Sequence, residues 1–279
     1  MPKKNCGMTP KKQTMIRDKT KFFHKYNIQE SDFVKTGYKW TDLLKIADDY
    51  DNREKQLNKI CETFVHKIRS FEKVHSVRFR VKDTESLIAK IIRKKVDTGL
   101  VIDIENYLVE IDDIIGVRAL HIFKGDFLTL YNQILKVYKN DFYGNIDISV
   151  RKGDDLSIYD EIVKTGRATI KESKVYRSIH YGINYRKCVH IELQTRTIFE
   201  EGWSEISHMT VYKKGKKDEL LTSPLTILSC LVGTCDDVAE LIKKIVEKTE
   251  NKKELNKDDL SINNNKCIED ILEKLINEY

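Results

Sequence analysis

Apolar and polar residues along the chain alternate between helical and strand-like periods. From Thr41 to about Lys73 apolar side chains recur at helical spacing: Leu43, Leu44, Ile46 and Ala47, then Leu57, Ile60, Phe64 and Ile68, with Thr41 placed to cap the start. A strand is predicted over 75–82 and a helix over 84–95. Ile114 to Phe123 reads as a buried strand, Asp126 to Lys139 as a helix, and Asn145 to Val150 as a strand. Two longer strands, 178–186 and 188–195, meet at Arg186-Lys187 and predict a hairpin. Helices follow over 197–209, 220–232 and 235–249. Residues 251–266, rich in Asn, Lys and Asp, read as a linker before an amphipathic segment, Ile268 to Tyr279. The polar, basic stretch 1–30 reads as a loose arm or a short helix. The expected class is α/β (α+β), a mixed sheet with helices before, around and after it.

Composition narrows the function classes. With 279 residues, 40% hydrophobic, 12 Gly and 3 Pro, the chain can fill a core and is not of low complexity. Lys+Arg 50 against Asp+Glu 44 leaves a net charge of +6, an excess that suits an anionic small ligand without marking a nucleic-acid binder. No apolar run is long enough for a membrane helix, and no apolar signal core follows Met1-Pro2-Lys3-Lys4. The expected location is cytoplasmic, with no membrane partner. The cysteines, Cys6, Cys61, Cys188, Cys230, Cys235 and Cys267, are scattered and read as free thiols rather than a zinc site.

Four segments carry candidate chemistry. In Val77-Arg78-Phe79-Arg80-Val81-Lys82, strand alternation puts Val77, Phe79 and Val81 on one face and three cations on the other. Such cations suit an anion between them, or a solvated edge strand. In the helix that follows, Ser86, Lys90 and Lys94 share a face with Arg93 beside them, an arrangement able to grip a triphosphate from two sides. In Glu110-Ile111-Asp112-Asp113-Ile114-Ile115-Gly116-Val117-Arg118, carboxylates enter an apolar strand, where a magnesium ion shared with substrate phosphates would offset their burial. Gly116 would admit a ligand or another backbone. In Tyr176-Arg177-Ser178-Ile179-His180-Tyr181, Tyr176, Ser178 and His180 project from one face, and the tyrosine can stack on a base. In His190-Ile191-Glu192-Leu193-Gln194-Thr195-Arg196-Thr197, four polar residues share a face of a central strand and need partners or a ligand. Facing Asp113, Glu192 could complete a metal site or accept a proton from a hydroxyl. A helix with Glu200, Glu201, Trp203, Glu205 and His208 follows.

Taken in order, these segments resemble the synthetase domain of the RelA/SpoT family. The matching residues are Arg80, Lys82, Ser86 and Lys90; Asp113, Gly116 and Arg118; Tyr176 through His180; Glu192, Gln194, Arg196 and Thr197; and a closing run Glu201, Trp203, Ile206, His208 and Tyr212. The resemblance covers about 75–213. It implies a nucleotidyltransferase-like, mixed, mostly five-stranded sheet flanked by helices. It also implies transfer of the β,γ-pyrophosphate of ATP to the 3′-hydroxyl of GTP or GDP, giving AMP. On this reading Arg80, Lys82, Ser86, Lys90 and Arg93 hold ATP, and Arg80 and Arg118 can stack on adenine. Asp113 binds Mg2+, Tyr176 stacks on guanine near His180, Gln194 and Arg196, and Glu192 completes the metal site or activates the hydroxyl. The domain reading is a basic arm over 1–40, the synthetase domain over 41–215, C-terminal helices over 216–250, and a polar linker with a terminal helix over 251–279. The family reading also admits a homo-oligomer.

One departure bears on the acceptor. Family members often carry Gly before the stacking tyrosine, whereas Ser173-Lys174-Val175 stands here, and a β-branched residue resists positive φ. The acceptor therefore stays open between GTP, GDP and the 3′ end of tRNA. An RNA could be steered by Lys3, Lys4, Lys11, Lys12, Arg17, Lys19 and Lys21 and by Lys213 to Lys217. A silent nucleotide-sensing or RNA-binding module is the third reading, against which intact Asp113 and Glu192 argue. With no His-Asp dipeptide, no hydrolase half is expected, and the chain reads as a stand-alone synthetase.

Overall fold

The computed structural model describes residues 15–151, 154, 156–173, 176–212 and 219–250. These fall into two compact units, 1–55 with 82–111, and 56–81 with 112–279. Among the described residues no helix is long and apolar enough to cross a membrane, and Cys61, Cys188, Cys230 and Cys235 are free.

The first unit is helical. It holds α1 (Lys19–Tyr26), α2 (Glu30–Thr36), the first part of α3 (Trp40–Arg69), α4 (Thr84–Thr98) and the single turn α5 (Tyr107–Glu110). Part of the expected arm is thus ordered, because it has aromatic residues to bury. Phe23, Phe33 and Trp40 meet edge to face, with ring centroids 5.1 to 6.0 Å apart. Asp83 caps α4 by accepting from the Ser86 N–H, and Gly99, at φ 74°, ends it. The stripe Leu87, Ile88, Ile91 and Ile92 is buried as its spacing predicts.

The second unit is built on β1 (Ser76–Val81), β2 (Ile115–His121), β3 (Ile146–Arg151), β4 (Ala168–Ser173), β5 (Ser178–Tyr185) and β6 (Val189–Thr197). They form one mixed sheet in the order β1-β2-β6-β5-β3-β4. Six strands replace the mostly five-stranded sheet expected. The addition is β4, an edge strand parallel to β3 whose residues are half-buried or exposed, so its sequence lacks a clear apolar alternation. A short helix, α6 (Phe127–Tyr138), lies between β2 and β3, and α7 (Asp160–Lys164) precedes β4. The hairpin between β5 and β6 is present, with Arg186 and Lys187 both at positive φ. α8 (Ile198–Ser207) starts where β6 ends, Thr197 accepting from the Glu200 N–H. The two helices expected over 220–249 are one, α9 (Glu219–Glu250), which continues through Gly233.

Alternation gives the sheet one apolar and one polar face. Val117, Ala119, Ile148, Ile179, Tyr181, Ile183, Ile191 and Leu193 are buried, as are Phe127, Leu130, Tyr131 and Ile134 of α6. Phe64 of α3 reaches Tyr138 and Tyr185 at 5.1 and 5.7 Å between ring centroids. Phe79 of β1 departs from this pattern: it is 47% exposed, because β1 is an edge strand, and the Arg69 guanidinium lies 5.8 Å from its ring.

On the polar face Gly182 of β5 pairs with Glu192 of β6. Tyr143 lies against it, donating its N–H to the Gly182 carbonyl at 3.0 Å and stacking on His190 at 3.7 Å and 10°. A Cβ on Gly182 would stand 2.8 Å from the Tyr143 ring and carbonyl. Gly182→Ala is therefore expected to cost about 1–3 kcal/mol through overpacking. Urea unfolding measures this, and an unchanged midpoint would contradict the close approach.

Candidate active site

Strand register builds the site in rows across the polar face. One row runs Arg78, Arg118, Gln194 and His180, and the next runs Arg80, Gly116, Glu192 and Gly182. Positions far apart in sequence thus become neighbours because they share a strand parity. The side chain that approaches Gly116 is Arg80, whose Cγ and Nε would lie 3.7 Å from a Cβ there.

Glu192 anchors the acidic end. Its Oε1 lies 3.2 Å from His180 Nδ1, and its Oε2 accepts from Gln194 Nε2 at 2.9 Å. Gln194 Oε1 in turn accepts from Arg196 Nη2. Along one strand an arginine orients an amide, and the amide orients a carboxylate. Burial pushes the Glu192 carboxyl up, but the His180 and Gln194 contacts outweigh it and hold the group below the ordinary glutamate value, against an opposing push from Asp113. Asp113, just ahead of β2, is mostly buried and pairs with Arg80 Nη2 at 3.8 Å. Tyr143 donates to the Asp112 carbonyl at 3.2 Å. Its phenol is pushed up by burial and then by the charges of Asp112, Glu192 and Asp113.

The basic end is held by α8. Arg118 Nη1 reaches Glu201 Oε1 at 3.0 Å and Glu205 Oε1 at 2.5 Å. Arg78 Nη1 lies 3.3 Å from both glutamates, and Arg196 Nη1 lies 3.5 Å from Glu201 Oε2. At the other end Tyr176 precedes β5. Its ring is parallel to Trp203, with centroids 6.1 Å apart, and Ser149 Oγ donates to its hydroxyl over 3.4 Å.

The structure therefore brings Arg80, Asp113, Arg118, His180, Glu192, Gln194 and Arg196 onto one face, with Tyr176 beside β3 and α8. Lys82, Ser86, Lys90 and Arg93 belong to the first unit. There the Lys82 carbonyl accepts from Tyr50 at 2.8 Å, the Ser86 N–H meets Asp83 at 2.9 Å, and Arg93 donates to the Tyr26 carbonyl at 3.0 Å. Sequence reasoning missed Tyr143, for which Gly182 two residues past His180 was the available signal. It named Glu201 and Glu205 without a role, although their i, i+4 spacing puts both on one helix face. Lys174, Val175 and the basic patch Lys213 to Lys217 lie outside the described residues, as do Lys3, Lys4, Lys11, Lys12 and the terminal segment 251–279.

Comparison with known proteins bears on this arrangement. Residues 79–217 match the family model described as the region found in RelA / SpoT proteins. The fold is similar to that of small alarmone synthetase 1 from Bacillus subtilis, at 19% identity and a TM-score of 0.52, over 72% of this chain and 99% of that one. Small alarmone synthetase 2 from Bacillus subtilis matches at 22% identity and a TM-score of 0.44, over 73% of this chain and 98% of that one. No significant match to a curated protein is found.

Glu201 is 6% exposed and faces three arginines, whereas Glu205 is 32% exposed. Arg78 and Arg118 keep Glu205, but removing Glu201 takes the carboxylate from the buried Arg196 guanidinium, so Glu201→Ala is expected to cost about 3–5 kcal/mol. Glu205→Ala should cost about 1 kcal/mol or less. Denaturant unfolding of the two variants checks the order, and equal losses would contradict it.

Proposed function

The chain belongs, through residues 79–217, to the family of RelA/SpoT proteins, and on that premise we propose that it is a pyrophosphokinase that moves the β,γ-pyrophosphate of ATP to the 3′-hydroxyl of GTP or GDP. The observation that carries this reading is a Glu192 carboxylate oriented by His180 and Gln194 on the same face as Asp113, which pairs with Arg80, and as Arg118 and Arg196. Carboxylates there suit a proton acceptor and a cation, and arginines suit phosphates.

Magnesium fits the residues present. Asp113 and Glu192 offer hard oxygen donors, and the Asp113 charge is near enough to push the Glu192 carboxyl up against its hydrogen bonds. An ion held by these two carboxylates would take its other ligands from substrate phosphates and water. Asp113 and Glu192 would hold it, and when bound it supplies charge neutralisation to the transferred group.

The chain's own side chains do the rest. Glu192, ionised at neutral pH, takes the proton of the attacking hydroxyl, and His180 and Gln194 keep its oxygens aimed. Arg80 contacts the transferred phosphates beside Asp113. Arg118 presents its guanidinium plane to adenine, and Arg196 contacts the acceptor's phosphates. Tyr176 stacks on the acceptor base with the ring face turned away from Trp203. Lys82, Ser86, Lys90 and Arg93 are the remaining proposed ATP contacts.

Incubation with labelled ATP and magnesium, separately with GDP, GTP and bulk tRNA, tests the acceptor. Label on GDP or GTP is expected, and label on tRNA alone would overturn the nucleotide assignment. Asp113→Asn should keep the fold, by circular dichroism, and lose several powers of ten in turnover. Near-normal turnover with magnesium in excess would sink its role. Tyr176→Ala should weaken acceptor binding roughly tenfold to a hundredfold, with ATP binding unchanged by calorimetry. An equal loss for both nucleotides would make Tyr176 a scaffold residue.

A further inference from the structure

A second ionic cluster, formed where β3 ends, where β5 begins and on α8 and α9, is left unused by the proposed reaction. Arg151, which ends β3, reaches Glu200 with Nη2–Oε1 at 2.7 Å, and both side chains are buried. Arg177, the residue after Tyr176, forks onto Asp154 through Nε at 2.7 Å and Nη2 at 2.5 Å. Its Nη1 and Nη2 also lie 3.6 Å from Asp236 and Asp237 of α9. The Asp236 side chain is wholly buried.

α9 is shaped to this cluster. A Cβ on Gly233 would overlap Arg151 Nη1. Glycine inside a helix costs about 1 kcal/mol relative to alanine, and here it leaves room for the guanidinium. A second link runs through Trp203, whose Nε1 donates to the Leu225 carbonyl of α9 at 2.9 Å while its ring lies parallel to Tyr176. Tyr176 is thus tied to one helix twice, through the ring beside it and through the residue after it. Buried charges are costly to retain where apolar side chains would pack as well, so a cluster of two arginines and four carboxylates at this point calls for a use.

We propose that Arg177 is a positioning residue for the acceptor: by locking the chain at Tyr176 to Asp154 and to α9, it fixes the ring on which the acceptor base stacks, and α9 thereby governs acceptor binding without governing ATP binding. This rests on the reaction proposed above. The link from Arg177 to the ring is nevertheless readable without turnover, because the chain has two tryptophans and a Trp40→Phe background leaves Trp203 as the reporter.

The test compares Arg177→Met, Arg177→Lys and Gly233→Leu in that background. Arg177→Met is expected to raise the acceptor KM about tenfold or more, the loss of a buried charged hydrogen bond, with the ATP KM unchanged and Trp203 emission shifted to the red. Arg177→Lys keeps the charge but not the fork, and should fall between wild type and Arg177→Met. Gly233→Leu, acting from the helix, should reproduce the Arg177→Met pattern and serves where that variant fails to fold. A matched rise in both KM values, or an acceptor KM that does not move, would overturn the proposal. Should no acceptor react even with the parent protein, the reaction assignment fails. Unchanged Trp203 emission in Arg177→Met would then refute the link itself.

Discussion

Three arginines on one face of a sheet share one buried glutamate, and the candidate site depends on that arrangement. Arg78 and Arg118 are direct cross-strand neighbours, and like charges so placed repel. Glu201, from the first turn of α8, meets both and Arg196 as well. It can do so because β6 passes into α8 at Thr197 without a loop. The strand that carries Arg196, Gln194 and Glu192 therefore also fixes the helix that neutralises their basic neighbours. A face rich in cations is in this way neutralised from within and still leaves the Arg78 and Arg80 guanidinium groups more than half exposed.

From Arg196 the order passes along β6 by hydrogen bonds. Arg196 orients Gln194, Gln194 orients Glu192, and His180 closes the carboxylate from the adjacent strand. Opposed effects set the charge of Glu192: burial favours the neutral acid, and two hydrogen bonds favour the carboxylate. The hydrogen bonds prevail, which suits a group that must be ionised before a hydroxyl reaches it.

Much of this was legible in the sequence because β-strands expose their parity. Arg78 and Arg80 in β1, and His190, Glu192 and Gln194 in β6, alternate with apolar residues, so their common face followed from period two. The pairing of β2 with β6 did not, since parallel register is set by helices that cross between strands rather than by a turn. β4 escaped because an exposed edge strand needs no apolar alternation. α9 was read as two helices because Gly233 weakens helix propensity, and the reason it is tolerated, the Arg151 guanidinium beside it, is tertiary. Tyr143 escaped for a similar reason: it sits in a loop, and only the bare backbone of Gly182 gives it a place.

The central claim is that this face transfers a pyrophosphoryl group and not a single phosphoryl group. ATP labelled separately at the β- and γ-phosphates, reacted with GDP and magnesium, decides it. The account predicts that both labels appear in the guanosine product, in equal amounts, and that the adenine nucleotide left behind is AMP. Transfer of the γ-label alone with ADP as the second product would contradict it.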